Sequence, residues 1–171
     1  MTFFSFFGCK GKQKDYLIKP IFTEMREMAF NVTPDQIDLN NLSDDKAFAI
    51  FMESGYQEAI MSLRCIGDGS ISIYFSNGGG MIGIGEHEAA RVEGLKLINM
   101  ANEYINKGEK VENNILPKNG ETFFYIRTKT GNYLIKDIED RLGNNKSEYS
   151  PLIYQAQNVI TQARLIQEKK E

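Results

Sequence analysis

The stretch of sequence that decides the fold is residues 59–76, AIMSLRCIGDGSISIYFS. Each half alternates between apolar and polar positions, which is typical of a strand with one face on a core. Residues 67–70 join the two halves and supply the backbone freedom that a tight turn needs. We therefore predict an antiparallel hairpin with one buried face. The predicted inward side chains are Ala59, Met61, Leu63, Cys65, Ile71, Ile73 and Phe75, and the predicted outward ones are Ser62, Arg64, Ser72, Tyr74 and Ser76.

Three other segments also have the composition of strands. Residues 46–53, KAFAIFME, are apolar on both alternating faces, which predicts a central strand that is covered on each side. A short helix capped by Ser43 is the alternative. Residues 121–129 and 133–136 are predicted to form a second hairpin, which turns through residues 130–132.

Three helices are predicted from apolar residues at helical spacing. They cover residues 20–30, residues 87–107 and a last segment that Ser150 caps and Pro151 opens. The predicted apolar stripes are Ile21, Met25, Met28 and Ala29 in the first, Ala90, Gly94, Leu97, Ile98, Ala101, Tyr104 and Ile105 in the second, and Leu152, Ala156, Val159, Ile160, Ala163 and Ile166 in the third.

The order of these elements predicts a single α+β domain over residues 20–171. Its antiparallel sheet has about five or six strands built from hairpins, and the three helices pack on that sheet. Residues 31–45, 113–119 and 137–149 are predicted to be loops, because Pro, Asn, Asp and Gly favour turns.

The composition limits the chemistry of this chain. Among its 171 residues there are one histidine, His87, and two cysteines, Cys9 and Cys65. These residues cannot supply the usual zinc site or a disulfide framework, and Cys65 is predicted to be a buried thiol. The net charge of -3 lacks the basic excess of a nucleic-acid binder. We therefore predict no metal, no cofactor, no catalytic residue and no nucleic-acid partner, with an enzyme built on His87 as the less favoured alternative.

The first 19 residues differ in charge from the rest of the chain. They include MTFFSFFGCK and carry +3, whereas residues 20–171 carry -6. The favoured interpretation is a terminal arm that is free or packs its phenylalanines on the domain. One alternative is contact of this arm with an anionic membrane surface. Another is lipid attachment at Cys9, although the apolar run is shorter than the ~7–15 residues of a signal peptide. No other apolar stretch approaches the length of a spanning helix, so we predict a cytoplasmic protein.

Residues 77–85, NGGGMIGIG, are the most distinctive segment. Gly78, Gly80 and Gly83 formally match the G-x-G-x-x-G pattern of dinucleotide sites. However, no βαβ unit surrounds them, and acidic residues at the start of the following helix would repel a phosphate. Asn77-Gly78 is also a strong hairpin signal. We therefore favour a hairpin whose turn relies on the conformational freedom of the glycines. A binding loop is the second interpretation, and a nucleotide site is the third.

Glu86, His87 and Glu88 lie at the start of the second predicted helix. Two carboxylates there interact favourably with the helix dipole, which is a sufficient structural reason for them. His87 is predicted to cap the helix or to make a hydrogen bond. A catalytic or metal-binding role is the alternative, but three adjacent side chains on a helix cannot converge on one ion.

Aromatic and arginine side chains supply a second candidate surface. The predicted outward residues Tyr74, Tyr125 and Arg127 would form a patch of the kind that anchors protein interfaces. A helix that covers this face is the equally favoured alternative. The complete set of candidate binding residues is Tyr74, Asn77, Gly78, Gly79, Gly80, Gly83, Gly85, Glu86, His87, Glu88, Tyr125 and Arg127.

Residues 72–88, SIYFSNGGGMIGIGEHE, resemble a signature of the form SLYFSNGGGxIGxGEH in a poorly characterised family of small bacterial proteins. The resemblance extends from about Ala47 to the last helix and includes its Ser150-Pro151-Leu152 opening. The sequence departs from the family at Ile84, where a small residue is expected. The resemblance implies an accessory protein of a bacterial toxin-immunity system.

These observations favour a non-enzymatic protein-interaction module. Its specific form is an immunity protein that neutralises a toxin, and the acidic body suits a basic toxin domain. The alternative is a small-molecule or nucleotide-binding domain that uses residues 77–85.

Overall fold

The computed structural model describes residues 16–169. Within that range the chain forms seven strands and four α-helices. The strands are β1 (Ala47–Gly55), β2 (Ile60–Ile66), β3 (Ile71–Phe75), β4 (Gly80–Met81), β5 (Glu109–Val111), β6 (Glu121–Thr128) and β7 (Gly131–Ile138). The helices are α1 (Pro20–Asn31), α2 (Glu88–Ala101), α3 (Glu139–Gly143) and α4 (Ser150–Glu168). The predicted α+β class is confirmed, with more strands than the five or six predicted and one helix more.

The strands form one antiparallel sheet in the order β4-β3-β2-β1-β6-β7-β5. β1 lies at its centre and is buried along its whole length. The prediction of a central strand is therefore confirmed, and the alternative of a helix capped by Ser43 is wrong. Because consecutive side chains of a strand point to opposite faces, Ile50 and Met52 enter one core, whereas Ala49 and Phe51 enter another.

The first core lies between the sheet and helices α2 and α4. α2 ends at Ala101, and a 3-10 helix, Asn102–Lys107, continues it to Gly108. Every position of the predicted stripe over residues 87–107 is buried, as are the predicted positions of α4 except Ile160, which packs at the margin of the core. Apolar spacing therefore predicted the inward faces of these two helices correctly.

The second core lies on the opposite face, beneath α1. The ring of Phe30 packs edge-on against Phe51 and against Tyr125, with centroids 5.0 Å apart in each pair. This layer corrects the prediction that β2 has one solvated face, because Ser62 and Arg64 are both buried. The domain thus has three layers, with the sheet in the middle.

α1 is rotated relative to its predicted orientation. Ile21 and Met28 are exposed, whereas Phe22, Ala29 and Phe30 are buried. The cause is a charge: Arg26, a half-buried residue of α1, donates from Nε and Nη2 to the two carboxylate oxygens of Glu53, at 2.8 Å each. A carboxylate buried on the sheet requires a paired cation, so the helix turns its arginine inward.

Three smaller predictions are also corrected. Residues 137–149 are not one loop, because β7 extends to Ile138 and α3 anchors itself in the first core through Leu142. Phe75 is exposed rather than inward, and Ser76 is buried rather than outward, since β3 ends between them and the Oγ of Ser76 accepts the backbone N–H of Ile60 (2.9 Å). The cap of α4 is Tyr149 and not Ser150.

Residues 16–19 lead into α1, and the backbone N–H of Lys19 donates to the carbonyl of Ser76 (2.8 Å). The rest of the predicted arm, including Cys9 and its proposed lipid attachment, lies outside the described residues. Within residues 16–169, none of the helices combines the length and the apolar character needed to cross a bilayer.

Candidate functional site

The distinctive segment forms the turn between β3 and β4. The carbonyl of Phe75 accepts the N–H of Gly78 (3.0 Å), and the N–H of Phe75 donates to the carbonyl of Gly79 (3.2 Å). Gly78 and Gly79 have φ angles of 101° and 88°, which side chains with a Cβ rarely adopt. The predicted hairpin at Asn77-Gly78 is therefore present, but its second strand contains only Gly80 and Met81.

Gly85 serves a different purpose, which is close packing. A Cβ at this position would lie 1.8 Å from the carbonyl oxygen of Gly69, a distance that no packing adjustment of side chains could relieve. Its neighbour Ile84 is buried in the first core. The residue at which the sequence departs from the resembling signature is thus a core residue.

The glycines do not lie in the geometry of a dinucleotide fold. The strands on either side of residues 76–79 are antiparallel neighbours, and α2 begins only at Glu88, after a 3-10 helix over Ile84–Glu86. A phosphate cradle of the Rossmann type requires parallel strands and a helix that starts at the glycines.

The side chains of Glu86, His87 and Glu88 are exposed. His87 occupies the N-cap position of α2, yet its side chain makes no hydrogen bond to the first turn of the helix. His87 therefore has the predicted position at the cap of α2, but its side chain does not make the cap hydrogen bond. Within residues 16–169, no group of three or more His, Cys, Asp or Glu side chains is placed to hold a metal ion.

Tyr125 and Arg127 do not form a surface patch, because α1 covers them. The hydroxyl of Tyr125 donates to the carbonyl of Ile115 (2.6 Å). Nη1 of Arg127 donates to the carbonyl of Ala29 (2.8 Å), and its guanidinium lies 4.8 Å from the ring centre of Phe48. Burial lowers the pKa of Arg127 to about 10, so this side chain still carries a charge at neutral pH.

Tyr74 is half-buried and separates two surface depressions. The guanidinium of Arg64 lies 4.5 Å from the centre of its ring on the inner side. Toward one end of β3 the ring borders a groove that we name the polar groove, with a volume of about 440 Å³. The polar groove is lined by the polar residues Asp68, Ser70, Ser72, Tyr74, Glu86 and Arg91, by Gly69, Gly83 and Gly85, and by Ile66, Ile71 and Ile82.

Toward the hairpin, Tyr74 borders an apolar depression that we name the α1 groove. It has a volume of about 340 Å³ and is lined by Ile21, Phe22, Met25, Tyr74, Phe75 and Ile82 together with Gly79 and Gly80. Three of these apolar side chains are exposed, Ile82 to 71%, Ile21 to 54% and Phe75 to 38%.

A second apolar depression, the α4 groove, lies on the other face of the same edge. It has a volume of about 290 Å³ and is lined by Met61, Ile73, Met81, Ile160, Ala163 and Arg164 together with Phe75, Gly80 and Gln167. Phe75 and Gly80 border both grooves. The edge at β4 is therefore flanked on each side by an apolar recess, and grooves of this kind bind partners more often than isolated exposed residues do.

The structure thus brings part of the predicted site together and disperses the rest. Gly79 and Gly80 line the α1 groove, Gly83, Gly85 and Glu86 line the polar groove, and Tyr74 lines both. Tyr125 and Arg127 are interior. Sequence reasoning missed Ile21 and Ile82. The only local indication that Ile82 is exposed is its position among glycines, which have no side chains to cover it.

No protein-family model, no curated protein and no solved structure matches this chain.

Proposed function

We propose that this protein is a non-enzymatic interaction module that binds another protein through the surface around the β3–β4 hairpin. The observation that carries the proposal is the pair of apolar grooves at one sheet edge, with Ile82 exposed at the rim of the α1 groove. Exposed apolar side chains that border a recess bury their surface when a partner docks, and this burial is the main favourable term in association.

The chemistry of the polar side chains supports a binding role over catalysis. The imidazole of His87 is exposed, as are the side chains of its two acidic neighbours, Glu86 and Glu88. Burial raises the pKa of the Cys65 thiol to about 12, so this sulfur does not supply a thiolate nucleophile at neutral pH.

The partner that we propose is a basic protein domain, and more specifically a bacterial toxin. The net charge of -6 on residues 20–171 attracts a cationic partner over long range and raises its association rate. The resemblance of residues 72–88 to a family linked with toxin immunity supports the same partner class. A cytoplasmic location belongs to this proposal, with a lipoprotein anchored at Cys9 as the alternative.

The test is affinity capture by the full chain from cells of its source, with chemical crosslinking. Ile82→Lys places a charge at the rim of the α1 groove, and Ile138→Lys is the matched control, because Ile138 is 45% exposed at the end of β7. We expect the unchanged chain and Ile138→Lys to capture the same protein. Ile82→Lys should recover at least about tenfold less of that protein. Equal recovery by both variants would contradict the proposed surface.

The polar groove favours a second candidate function, binding of a small polar molecule or nucleotide. It is the largest of the three grooves described, and Arg91 offers it a cation held by a hydrogen bond from Nη1 to the carbonyl of Gly85 (3.2 Å). A ligand at about 100 times its dissociation constant adds about 2.7 kcal/mol to the free energy of unfolding. Thermal unfolding against a panel of nucleotides and metabolites tests this function, and Ser70→Trp, at an exposed position in the groove, should remove any stabilisation found.

A further inference from the structure

We infer that the partner joins the sheet as an added strand along β4, and that this strand is apolar on both faces and flanked by acidic residues. The inference rests on the proposed function and specifies how the hairpin surface binds. In this mode, backbone hydrogen bonds to the sheet edge provide affinity, and recesses for alternate side chains provide specificity.

The two edges of the sheet differ in how they are protected. β5 forms one edge, and its Glu109 and Lys110 are exposed charged residues that discourage another strand from pairing. β4 forms the other edge, and the sequence from Gly80 to Ile82 contains no charged residue. No strand of the described residues pairs with the outer side of β4. This edge therefore lacks the charged side chains that protect β5, and its two residues offer a short template to which a partner strand can pair.

The grooves lie where the side chains of an added strand would point. Successive side chains of a strand project to opposite faces of the sheet. Ile73 borders the α4 groove and the next residue, Tyr74, borders the α1 groove, so the two grooves lie on opposite faces. A strand beside β4 would place one side chain in each groove in turn. Because both grooves are mainly apolar, adjacent residues of the added strand must both be apolar.

Two cations lie next to this edge. The side chain of Lys19 lies over the turn, with Nζ 3.1 Å from the position that a Cβ of Gly78 would occupy. Arg164 lines the α4 groove and is exposed, with only a 3.7 Å contact to Glu168, one helical turn away. Their local charge selects acidic residues beside the apolar ones, whatever the net charge of the domain that carries the strand.

The first experiment uses a displayed library of random dodecapeptides, selected against the full chain. We expect the enriched peptides to contain consecutive β-branched or aromatic residues next to Asp or Glu, and to lose binding to Ile82→Asp but not to Ile138→Asp. Enrichment of amphipathic helical patterns, or of basic peptides, would overturn the inference.

The second experiment asks whether the backbone of the peptide carries the binding. The best enriched peptide is synthesised with N-methyl groups on alternate residues, in both possible phases. Only alternate N–H groups of an added strand face the sheet, so one phase should weaken binding about tenfold or more and the other should not. Equal affinity of both phases, with binding still lost in Ile82→Asp, would overturn strand addition while leaving the hairpin as an interaction surface.

The same peptides distinguish the other occupants of this edge. A variant that lacks residues 1–15 and binds the best peptide about tenfold more tightly would identify the chain's own N-terminal segment as the occupant. A dimer of the full chain that Ile82→Lys dissociates would identify a second copy. Either result would overturn the inference of a partner strand.

Discussion

Glu53 is the residue on which the layer beneath α1 depends. Its carboxylate accepts two hydrogen bonds from Arg26 and one from the Oγ of Ser62 (3.2 Å). Arg64 lies beside it with its Nη2 buried and without a hydrogen-bond partner. Burial lowers the pKa of Arg64 to about 10, so at neutral pH this guanidinium is charged and relies on Glu53 for compensation.

We expect Glu53→Gln to lower the free energy of unfolding by about 3–5 kcal/mol, because it leaves buried arginines without a counter-charge while keeping the shape of the side chain. Urea unfolding followed by circular dichroism measures this loss. The exposed pair of Lys96 and Glu93 provides a control, since Lys96→Ala should cost less than about 1 kcal/mol. A comparable loss in the two variants would show that the buried pair contributes no more to stability than the Lys96–Glu93 pair does.

The contact between Gly85 and Gly69 leads to a prediction about one added carbon atom. Gly85→Ala should destabilise the protein by about 1–3 kcal/mol or more, because its Cβ would meet a backbone oxygen that cannot move aside alone. Gly143→Ala is the matched control, since nothing lies within 4 Å of its added Cβ. The control variant should be unchanged or more stable by up to about 1 kcal/mol. The denaturation midpoints of the two variants, each compared with that of the unchanged protein, measure these changes in stability.

At the scale of elements, the start of α4 shows how a familiar sequence signal misleads. Ser150-Pro151 reads as a cap followed by the first helical residue, but Ser150 lies within the helix and its Oγ is buried without a partner. A hydroxyl in that position contributes a desolvation cost and no hydrogen bond.

We therefore expect Ser150→Ala to leave the stability unchanged or to raise it, whereas replacement of a true cap costs about 1 kcal/mol. Ser76→Ala is the comparison, since the Oγ of Ser76 accepts a buried backbone N–H. That variant should lose about 1–3 kcal/mol. Chemical denaturation of both measures the difference, and a loss in Ser150→Ala would mean that its hydroxyl has a partner after all.

The elements that the sequence predicts well are those whose environment is uniform. β1 is apolar from Ala47 to Met52 and is covered on both faces, and the apolar stripe of α2 meets a single apolar surface. α1 is the opposite case, because its orientation depends on Glu53, which is 27 residues away along the chain. Local periodicity contains no information about such a pair, so it favoured Ile21 over Arg26 as the inward residue.

The candidate site likewise has one part that the sequence predicts and one part that it does not. The turn at Asn77-Gly78 follows from local backbone preferences and was predicted. The grooves arise where α1 and α4 meet the two faces of β3 and β4, so they depend on contacts between distant segments. For that reason the sequence indicated the hairpin but not the apolar surface beside it.

At the scale of the whole molecule, Cys65 reports whether the first core, between the sheet and helices α2 and α4, is intact. It lies in the first core, and burial raises the pKa of its thiol to about 12. In a Cys9→Ser background we expect a disulfide reagent at about pH 8 to modify Cys65 only where denaturant unfolds the protein, with the same midpoint as the loss of helical signal. Modification well below that midpoint would reveal a local opening of the sheet.

The same thiol adds a dependence of stability on pH. Its folded pKa lies above the ordinary value of 9.0, so the protonated form favours the folded state. Its contribution is complete below pH 9 and declines between about pH 9 and pH 12, as the unfolded chain releases a proton that the folded chain keeps. Comparison of the unmodified chain with Cys65→Ala at about pH 8 and pH 10 isolates this contribution, and parallel stability curves would argue against it.

The order of the strands has a consequence for how the chain folds. β1 to β4 pair as sequence neighbours, and β5, β6 and β7 pair among themselves, so the pairing of β1 with β6 alone joins the two halves of the sheet. Forming that seam closes a loop from Gly55 to Glu121, which includes all of α2. Closing a long loop costs entropy before it yields contacts, and proteins rich in such pairings fold slowly. The two halves should therefore acquire structure early, and their joining at β1 and β6 should set the rate at which the native protein appears.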